Sequence, residues 1–300
     1  MRLFLTGISG PLAPLIRDRL RLESELVQLG GEAPLGVVAA PGGPAEAEAL
    51  REGMRGAQAV VHDLQGVLRE VSDPDETEPD RLAEALVGAT RALLEQARKE
   101  RIRHVLVLSS ARTSSLRRTP RRPALGAGSL GPWPRLHAMR QAEELALQAS
   151  DLVTVLAPAV LLGPALPPSA LLSRVLAIRA GLGLPARRVR ICLADHRDVV
   201  GAAVTALSRA TPGRRYLIGS TPFWLSTLDA RVAEVGPRRS PPPPPDNLPV
   251  GVLSELIDPA LAMADLGWWT RRPGRTLRDT LTSLDLSAGT APARRSPGEA

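Results

Sequence analysis

The residues best suited to chemistry near the amino terminus form a glycine-rich turn. Gly7, Gly10 and the small residue Ala13 follow one another at intervals of three residues, between an apolar run at residues 2–5 and a helix-like segment that begins at Pro11. In nucleotide-binding folds the first glycine permits a tight turn, the second lets the backbone approach a pyrophosphate, and a small third residue allows close helix packing. The helix amino terminus also attracts the anion. The pattern therefore predicts a dinucleotide site, although a tight turn without a ligand has the same spacing.

Tyrosine, lysine and cysteine, three residue types that often carry chemistry, each occur once in the sequence. Tyr216 is the single tyrosine, Lys99 the single lysine and Cys192 the single cysteine. One cysteine excludes a disulfide within the chain and a cysteine-based metal cage. The formal net charge of +7 favours anionic partners, and an anionic small molecule fits this balance. Because only 2% of the residues are aromatic and no nucleic-acid motif is present, nucleic-acid binding is not expected.

Composition and hydropathy predict a globular protein. The chain has 300 residues, of which 44% are hydrophobic, enough for a substantial core. No apolar run approaches the roughly 18–20 residues that span a bilayer. The amino terminus also lacks the apolar core of a signal peptide. We therefore expect no membrane association and a cytoplasmic location.

Apolar runs alternate with helical spacing through the first half of the chain. Residues 104–110 ("HVLVLSS") form a near-continuous apolar run, which is typical of a strand buried on both faces of a parallel sheet. The alternation predicts an α/β protein with a Rossmann-type doubly wound parallel sheet. Strands are predicted at residues 2–5, 25–29, 35–40, 57–62, 104–110 and 152–158, and helices at 11–22, 45–54, 80–99 and 136–148.

The second half of the chain is less regular and predicts a smaller lobe. We predict a dinucleotide-binding domain over residues 1–165, to which later strands near 188–220 return, a lobe mainly over 166–286, and a disordered tail over 287–300. The proline run at 240–249 predicts an extended connector. Helices are predicted at residues 169–180, 199–209 and 277–284, and strands at 188–194 and 214–219.

An ordered series of segments resembles a known family. "LFLTGISGPLA", "GAQAVVHDL", "RHVLVLSS", "LAPAVLLGP", "DHRDVVGAAVTAL" and "ADLGWW" are similar, in this order, to extended short-chain dehydrogenases/reductases, the NAD-dependent epimerase/dehydratase family, over roughly residues 1–285. The resemblance implies a Rossmann domain for NAD or NADP and a smaller C-terminal substrate lobe, often for a nucleotide sugar. It also implies that the dinucleotide contacts Thr6, Gly7, Ser9, Gly10, Pro11, Leu12, Ala13, His62, Asp63, Leu64, Ser109 and Pro158.

The catalytic residues that the family implies are missing. The family uses a tyrosine, a lysine four residues later and a Ser or Thr that holds the substrate oxygen, but the chain contains no Tyr-x-x-x-Lys. Aligning "LHAMRQAEEL" on the family's catalytic helix places Leu136 at the tyrosine and Arg140 at the lysine. The hydroxyl position falls on Ala111, and a shift of one residue would place Ser110 there. Tyrosine-dependent hydride transfer is therefore not expected.

Three weak candidates for catalysis remain: His137, Ser110 and Arg140. His137 lies beside the lost tyrosine position, and a histidine titrates near neutral pH. Adjacent helix positions point about 100° apart, however, so a packing or surface role is the alternative. Arg140 keeps the lysine's charge but not its compact ammonium.

The cofactor's identity cannot be predicted from the strand ends. After the second strand the family places an acid for the adenosine ribose or an arginine for a 2′-phosphate, but Gly30 and Gly31 stand there, with Glu32 displaced from this point. NAD and NADP are therefore both permitted. The segment at 112–122 carries several arginines, and it is either a loop that closes over an anionic ligand or a solvated loop.

Two function classes follow from these residues. The first is an NAD(P)-dependent epimerase/dehydratase or oxidoreductase with a degenerate active site and a nonstandard proton donor. The second is a catalytically silent dinucleotide-binding sensor or partner protein. The helices around 82–99 and 136–148 are those that the family uses for dimerisation, so the resemblance also permits a homodimer. Asp198 is predicted to cap a helix.

Overall fold

A seven-stranded parallel sheet forms the centre of the protein. The computed structural model describes residues 1–9, 12–29, 37–40, 42–73, 75–117, 133–164, 175, 190–234 and 257–289. In spatial order the strands are β10 (Arg215–Ile218), β6 (Val153–Pro158), β5 (His104–Leu108), β4 (Ala59–Asp63), β1 (Arg2–Thr6), β2 (Glu25–Leu29) and β3 (Val37–Ala40).

Helices cover both faces of this sheet. Within the described residues they are α1 (Ala13–Leu20), α2 (Ala47–Met54), α3 (Leu64–Val71), α4 (Pro79–Lys99), α5 (Trp133–Gln148), α6 (His196–Arg209), α7 (Leu225–Glu234), α8 (Ala260–Leu266) and α9 (Pro273–Gly289), with a 3-10 helix at Ala111–Arg117. No helix among these residues is long and apolar enough to cross a membrane.

Alternate residues of each strand pack into two apolar layers, one on each face of the sheet. Phe4, Val60 and Val105 pack with α2, α3, α4 and α5 on one face. Leu5 and Leu106 pack with α1, α6 and α8 on the other face. Side chains alternate along a strand, so a strand that is covered on both faces must be apolar throughout, as the sequence predicted for 104–110.

The strand order confirms the predicted doubly wound fold. From β1 the chain adds β2 and β3 on one side, and it then crosses back to place β4, β5, β6 and β10 on the other side. The order therefore reverses between β1 and β4, which pair directly. Open α/β sheets bind ligands outside the carboxyl ends of the strands at such a switch point.

A smaller apolar cluster lies beside the main sheet. The pair β7 (Val160–Leu162) and β9 (Leu193–Asp195) is parallel, and the pair β8 (Arg190–Ile191) and β11 (Phe223–Trp224) is antiparallel. Their side chains pack with α7 and α9 around Leu193, Leu228 and Leu277. Cys192 separates β8 from β9, so the single strand predicted at 188–194 is wrong in detail.

Several boundaries differ from the predicted ones. Helices α3 and α7 were not predicted, because each begins directly after a strand without a glycine or proline to separate them. Helix α9 ends at Gly289, so residues 287–289 are helical and the predicted tail begins too early. The helix predicted at 169–180, apart from Val175, and the connector predicted at 240–249 lie outside the described residues.

Candidate functional site

Gly7 shapes the turn at the carboxyl end of β1. Its φ is +68°, in the left-handed region that favours glycine. A Cβ at this position would lie 2.5 Å from both the Asp63 carbonyl oxygen and the Val67 amide nitrogen. The Ser9 amide donates to the Gly7 carbonyl over 2.8 Å and closes the turn. The predicted need for glycine at position 7 is therefore confirmed, whereas Gly10 and Pro11 lie outside the described residues.

The start of α3 packs directly on this turn. A Cβ at Gly66 would overlap the Gly7 carbonyl oxygen, so both positions need the smallest residue. Asp63 caps α3 by accepting the Gln65 amide proton over 3.0 Å. The turns after β1 and β4 are thus fixed against each other on either side of the switch point. The need for glycine at position 66 was not predicted, because Gly66 belongs to no known glycine spacing.

The amino terminus of α1 fits an anion. The N-cap residue is Leu12, whose side chain cannot accept a hydrogen bond from the amides of the first helical turn. Ala13, the first helical residue, is buried against the sheet, as predicted for the small residue of the turn. Backbone amides at a helix amino terminus, together with the helix dipole, favour phosphate.

His62 and Thr6 are joined inside the protein. Thr6 Oγ1 lies 2.6 Å from His62 Nδ1, and His62 Nε2 lies 3.2 Å from Thr90 Oγ1. Thr90 donates its own proton to the Leu86 carbonyl over 2.8 Å, so it accepts from His62 Nε2–H, and Nδ1 accepts from Thr6. Burial lowers the pKa of His62 to about 4 and keeps the ring neutral. Both side chains are fully buried, and their role is to connect β1, β4 and α4.

Asp63 is a titratable group at the carboxyl end of β4, beside the switch point. Its carboxyl group is partly buried at the end of β4. Burial raises its pKa to about 6, although the hydrogen bonds that it accepts from backbone amides act to lower the pKa. Leu64, the next residue, is fully buried. An acid with a pKa near neutrality at this edge of the sheet is suited to exchange a proton with a bound molecule.

The three weak catalytic candidates already have protein partners. Arg140 Nε donates to Glu144 Oε1 over 2.9 Å within α5. His137 Nε2 lies 2.7 Å from the Gln141 amide nitrogen, also within α5. Ser110 Oγ accepts the Arg112 amide proton over 3.2 Å. Leu136 is buried and apolar. The structure does not bring His137, Ser110 and Arg140 into one hydrogen-bonded group.

A buried ionic cluster lies next to these positions and connects α5, β10 and the end of β5. Glu143 accepts from Ser109 Oγ over 2.5 Å, and Thr113 Oγ1 lies 3.0 Å from the same carboxylate oxygen. Arg215 Nε donates to the other carboxylate oxygen. Arg215 Nη2 also donates to Thr113 Oγ1 over 2.9 Å and to the Ser110 carbonyl over 3.2 Å. The Ser109 hydroxyl, predicted to contact the dinucleotide, is thereby committed to Glu143.

This cluster was not predicted from the sequence. Glu143 lies beside the buried positions Ala142 and Ala146 of α5, and an acid on the apolar side of a helix is a signal for a buried pair. Its partner Arg215 is 72 residues away, so spacing could not identify it.

Tyr216, the single tyrosine, is structural. It is fully buried in the edge strand β10, where its hydroxyl donates to Asp265 Oδ2 over 2.9 Å and accepts the Thr211 amide proton over 3.2 Å. Burial raises its pKa above the usual value. Among the described residues, no group of His, Cys, Asp and Glu is arranged to hold a metal ion.

Comparisons with known proteins identify the fold. No protein-family model matches the sequence, and no curated protein matches it. The enzyme WbmG of Bordetella bronchiseptica, solved with NAD and UDP, is 19% identical, with a TM-score of 0.71 over 96% of each chain. UDP-glucose 4-epimerase of Thermotoga maritima, solved with UDP-glucose, is 16% identical, with a TM-score of 0.68 over 96% of this chain and 100% of its own.

A reductase has the same architecture. Yeast methylglyoxal/isovaleraldehyde reductase Gre2, solved with NADPH, is 16% identical, with a TM-score of 0.69 over 97% of this chain and 100% of its own. These identities are low, but the coverage is nearly complete in both directions. The chain therefore has, along almost its whole length, the Rossmann-type fold of these solved epimerase, dehydratase and reductase structures.

Proposed function

We propose that this protein binds NAD or NADP at the turn between β1 and α1. The observation that carries the proposal is the turn at Gly7, whose positive φ reverses the chain between β1 and α1 beside the switch point of the sheet. The α1 amino terminus, which has no side-chain cap, would hold the pyrophosphate. The solved proteins with this fold that carry NAD or NADPH support the proposal.

The residues that would hold the dinucleotide form a smaller set than the resemblance implies. The backbone at residues 7–9, the first residues of α1 at Leu12 and Ala13, and the edge formed by Asp63 fit this role. Thr6 and His62 would contribute through main-chain atoms, because their side chains are buried and bonded to each other. When bound, the nicotinamide supplies a hydride acceptor or donor.

We further propose that the protein does not perform tyrosine-dependent hydride transfer and acts as a dinucleotide-binding sensor or partner. Leu136 and Arg140 stand at the positions of the tyrosine and lysine, and Arg140 is paired with Glu144. The Ser109 hydroxyl donates to Glu143 and has no proton left for a substrate oxygen. Tyr216 is buried against Asp265. These contacts favour a binding role over turnover.

A second function is favoured by Asp63. Its raised pKa, at the edge of the sheet that would face the nicotinamide end, suits a nonstandard acid–base group for an epimerase, dehydratase or oxidoreductase. If the protein has this second function, the apolar cluster around Leu193, Leu228 and Leu277 is the core of the substrate lobe.

The test is a titration with NADH and with NADPH, followed by calorimetry and by nicotinamide fluorescence. Saturable binding by either cofactor is the expected result, and no binding at millimolar cofactor would overturn the proposal. Turnover is then measured with nucleotide sugars and small carbonyl compounds. The sensor function predicts none. Turnover that Asp63→Asn abolishes without loss of cofactor binding would establish the second function instead.

The assembly is a separate proposal. We infer that two copies associate through α4 and α5, because the exposed positions Glu84, Arg91 and Glu95 on α4 alternate in charge and complement a second copy of themselves. Light scattering should give twice the 31.9 kDa chain mass, and the chain mass itself would reject the dimer.

A further inference from the structure

The second turn of α1 is bonded to the turn that follows β1. Arg17 Nη1 donates to the Ile8 carbonyl over 3.1 Å and to Gln28 Oε1 over 3.0 Å. Ile8 lies between the end of β1 and the start of α1, and Gln28 is the penultimate residue of β2. One guanidinium nitrogen therefore connects the turn, α1 and β2.

The peptide group between Ile8 and Ser9 is held at both of its ends. Its carbonyl accepts from Arg17, and its amide donates to the Gly7 carbonyl over 2.8 Å. The Ile8 side chain is also buried in the apolar layer beside α1, whereas Ser9 is exposed. Because a peptide group is planar, hydrogen bonds at its two ends restrict its rotation. The turn at residues 7–9 is thus fixed by contacts within the protein.

Arg17 is partly withdrawn from water to make these contacts. Its side chain is half-buried, its Nε is buried, and burial lowers its pKa. Arg19, on the same helix, instead pairs with Glu23 at the surface over 2.7 Å. Burying part of a guanidinium costs free energy, which its hydrogen bonds to the Ile8 carbonyl and the Gln28 side chain offset. The two arginines of α1 therefore have different roles, and that of Arg17 is directed at the turn.

We propose that Arg17 is a positioning residue of the dinucleotide site, which orders the turn at residues 7–9 in advance for the pyrophosphate of NAD or NADP. The inference rests on the proposed function. Arg17 contacts the turn through the Ile8 carbonyl, so its effect is the same for both cofactors. When the turn is already ordered, binding does not have to restrict it, and the affinity is higher by the cost that is avoided.

The experiment measures dissociation constants for NADH and NADPH by calorimetry, well below the melting temperature of each variant. Arg17→Gln should weaken the binding of both by the same factor, about fivefold to tenfold, as expected for one lost hydrogen bond. Arg17→Lys keeps a donor and should restore part of the affinity. Arg19→Gln is the matched control and should leave both constants unchanged. If Arg17→Gln lowered the melting temperature without changing either constant, the role of Arg17 would be merely structural and the inference would be overturned.

Two further measurements test whether Arg17 acts through the turn. In the absence of cofactor, the Ser9 amide proton should exchange faster in Arg17→Gln than in wild type, as measured by NMR, because the peptide group is then held at one end only. Gln28→Leu should weaken binding less than Arg17→Gln does. The double variant should bind no more weakly than Arg17→Gln alone, because Gln28 acts by holding Arg17. Additive losses, or an unchanged Ser9 exchange rate, would overturn the inference.

The outcomes separate this inference from the proposed function. A loss of affinity confined to one of the two cofactors would show that Arg17 does not act through the turn, and it would overturn the inference while leaving dinucleotide binding intact. Failure of both cofactors to bind wild type would instead reject the proposed function, and with it the dinucleotide as the molecule for which Arg17 orders the turn.

Discussion

At the scale of single residues, position 7 imposes two requirements that only glycine satisfies. Its φ is +68° and a Cβ would meet backbone atoms of Asp63 and Val67 rather than movable side-chain ends. Gly7→Ala should lower the free energy of unfolding by about 1–3 kcal/mol and abolish dinucleotide binding. Urea denaturation and calorimetry would measure the two effects.

Gly88 provides the control for this change. It lies on α4, and a Cβ there meets nothing within 4 Å. Gly88→Ala should therefore stabilise the protein by roughly 0.5–1 kcal/mol, because alanine is the better helix former. If both substitutions shifted stability equally, the backbone constraint assigned to Gly7 would be wrong.

His62 and Asp63 give the protein opposing pH dependences. The pKa of His62 falls from 6.5 to about 4 on folding, so the unfolded chain binds the extra proton and the contribution of His62 to stability is lost as pH falls from 6.5 to 4. The pKa of Asp63 rises from 3.8 to about 6, so the folded state binds the extra proton and stability is lost as pH rises over that window. The two slopes oppose each other between about pH 4 and 6.

Substituting one of these two residues should reveal the pH dependence that the other contributes to stability. Relative to wild type, His62→Asn should shift the change in the free energy of unfolding between pH 4 and 6 toward a fall with rising pH. Relative to wild type, Asp63→Asn should shift it toward a rise over the same range, by up to roughly 1.4 kcal/mol per pH unit. Denaturant unfolding at several pH values measures this. Parallel profiles for the two variants would contradict the assignment.

At the scale of elements, the Glu143–Arg215 pair attaches α5 to β10 across the end of β5. Glu143→Gln leaves the mostly buried Arg215 without its counter-charge and should cost about 3–5 kcal/mol in the free energy of unfolding. Replacing both residues, as Glu143→Leu with Arg215→Met, should recover much of this loss. Glu144→Gln is the matched control on the same helix, since Glu144 is far more exposed. If Glu143→Gln lowered the free energy of unfolding no more than Glu144→Gln does, the pair would not be what attaches α5 to β10.

The elements also show what a sequence can and cannot predict. The paired strands β1, β4, β5 and β6 were predicted because each is an apolar run with turn residues around it. Helix α3 was missed because Asp63 ends β4 and caps α3 at once, so no loop separates the two. The Gly7 turn was predicted from local spacing. The Glu143 cluster and the hydrogen bond between Arg17 and Gln28 join residues that meet only after folding.

At the scale of the whole molecule, charged pairs attach the C-terminal helices to the sheet. Asp195, not Asp198, caps α6, which corrects the sequence prediction. Burial acts to raise the pKa of Asp195, but hydrogen bonds from Arg197 and Thr276 hold it below its usual value. Arg197 also donates to Asp279 over 2.8 Å, which connects α6 to α9.

Asp198 forms the second attachment, at the junction of α8 and α9. Its buried carboxylate accepts the Arg271 amide proton over 2.6 Å and pairs with the Arg271 guanidinium, while its carbonyl accepts from Trp268 Nε1 over 2.8 Å. Asp198→Asn should cost about 1.5–3 kcal/mol, because the Arg271 amide and guanidinium lose a buried charged acceptor, while water reaches the Arg271 side chain, which is 35% exposed. Glu48→Gln, in an exposed pair with Arg51, should change nothing measurable.

Hydrogen exchange should locate this loss. Because Asp198 attaches α6 to the segment between α8 and α9, the amides of α8 and α9 should exchange faster in Asp198→Asn, whereas those of β1, β4 and β5 should keep their protection. The remaining Arg197–Asp279 contact limits the opening to a local event. If protection fell by the same factor in α9 and in β1, the C-terminal helices would unfold together with the sheet, and the attachment at Asp198 would belong to one cooperative unit.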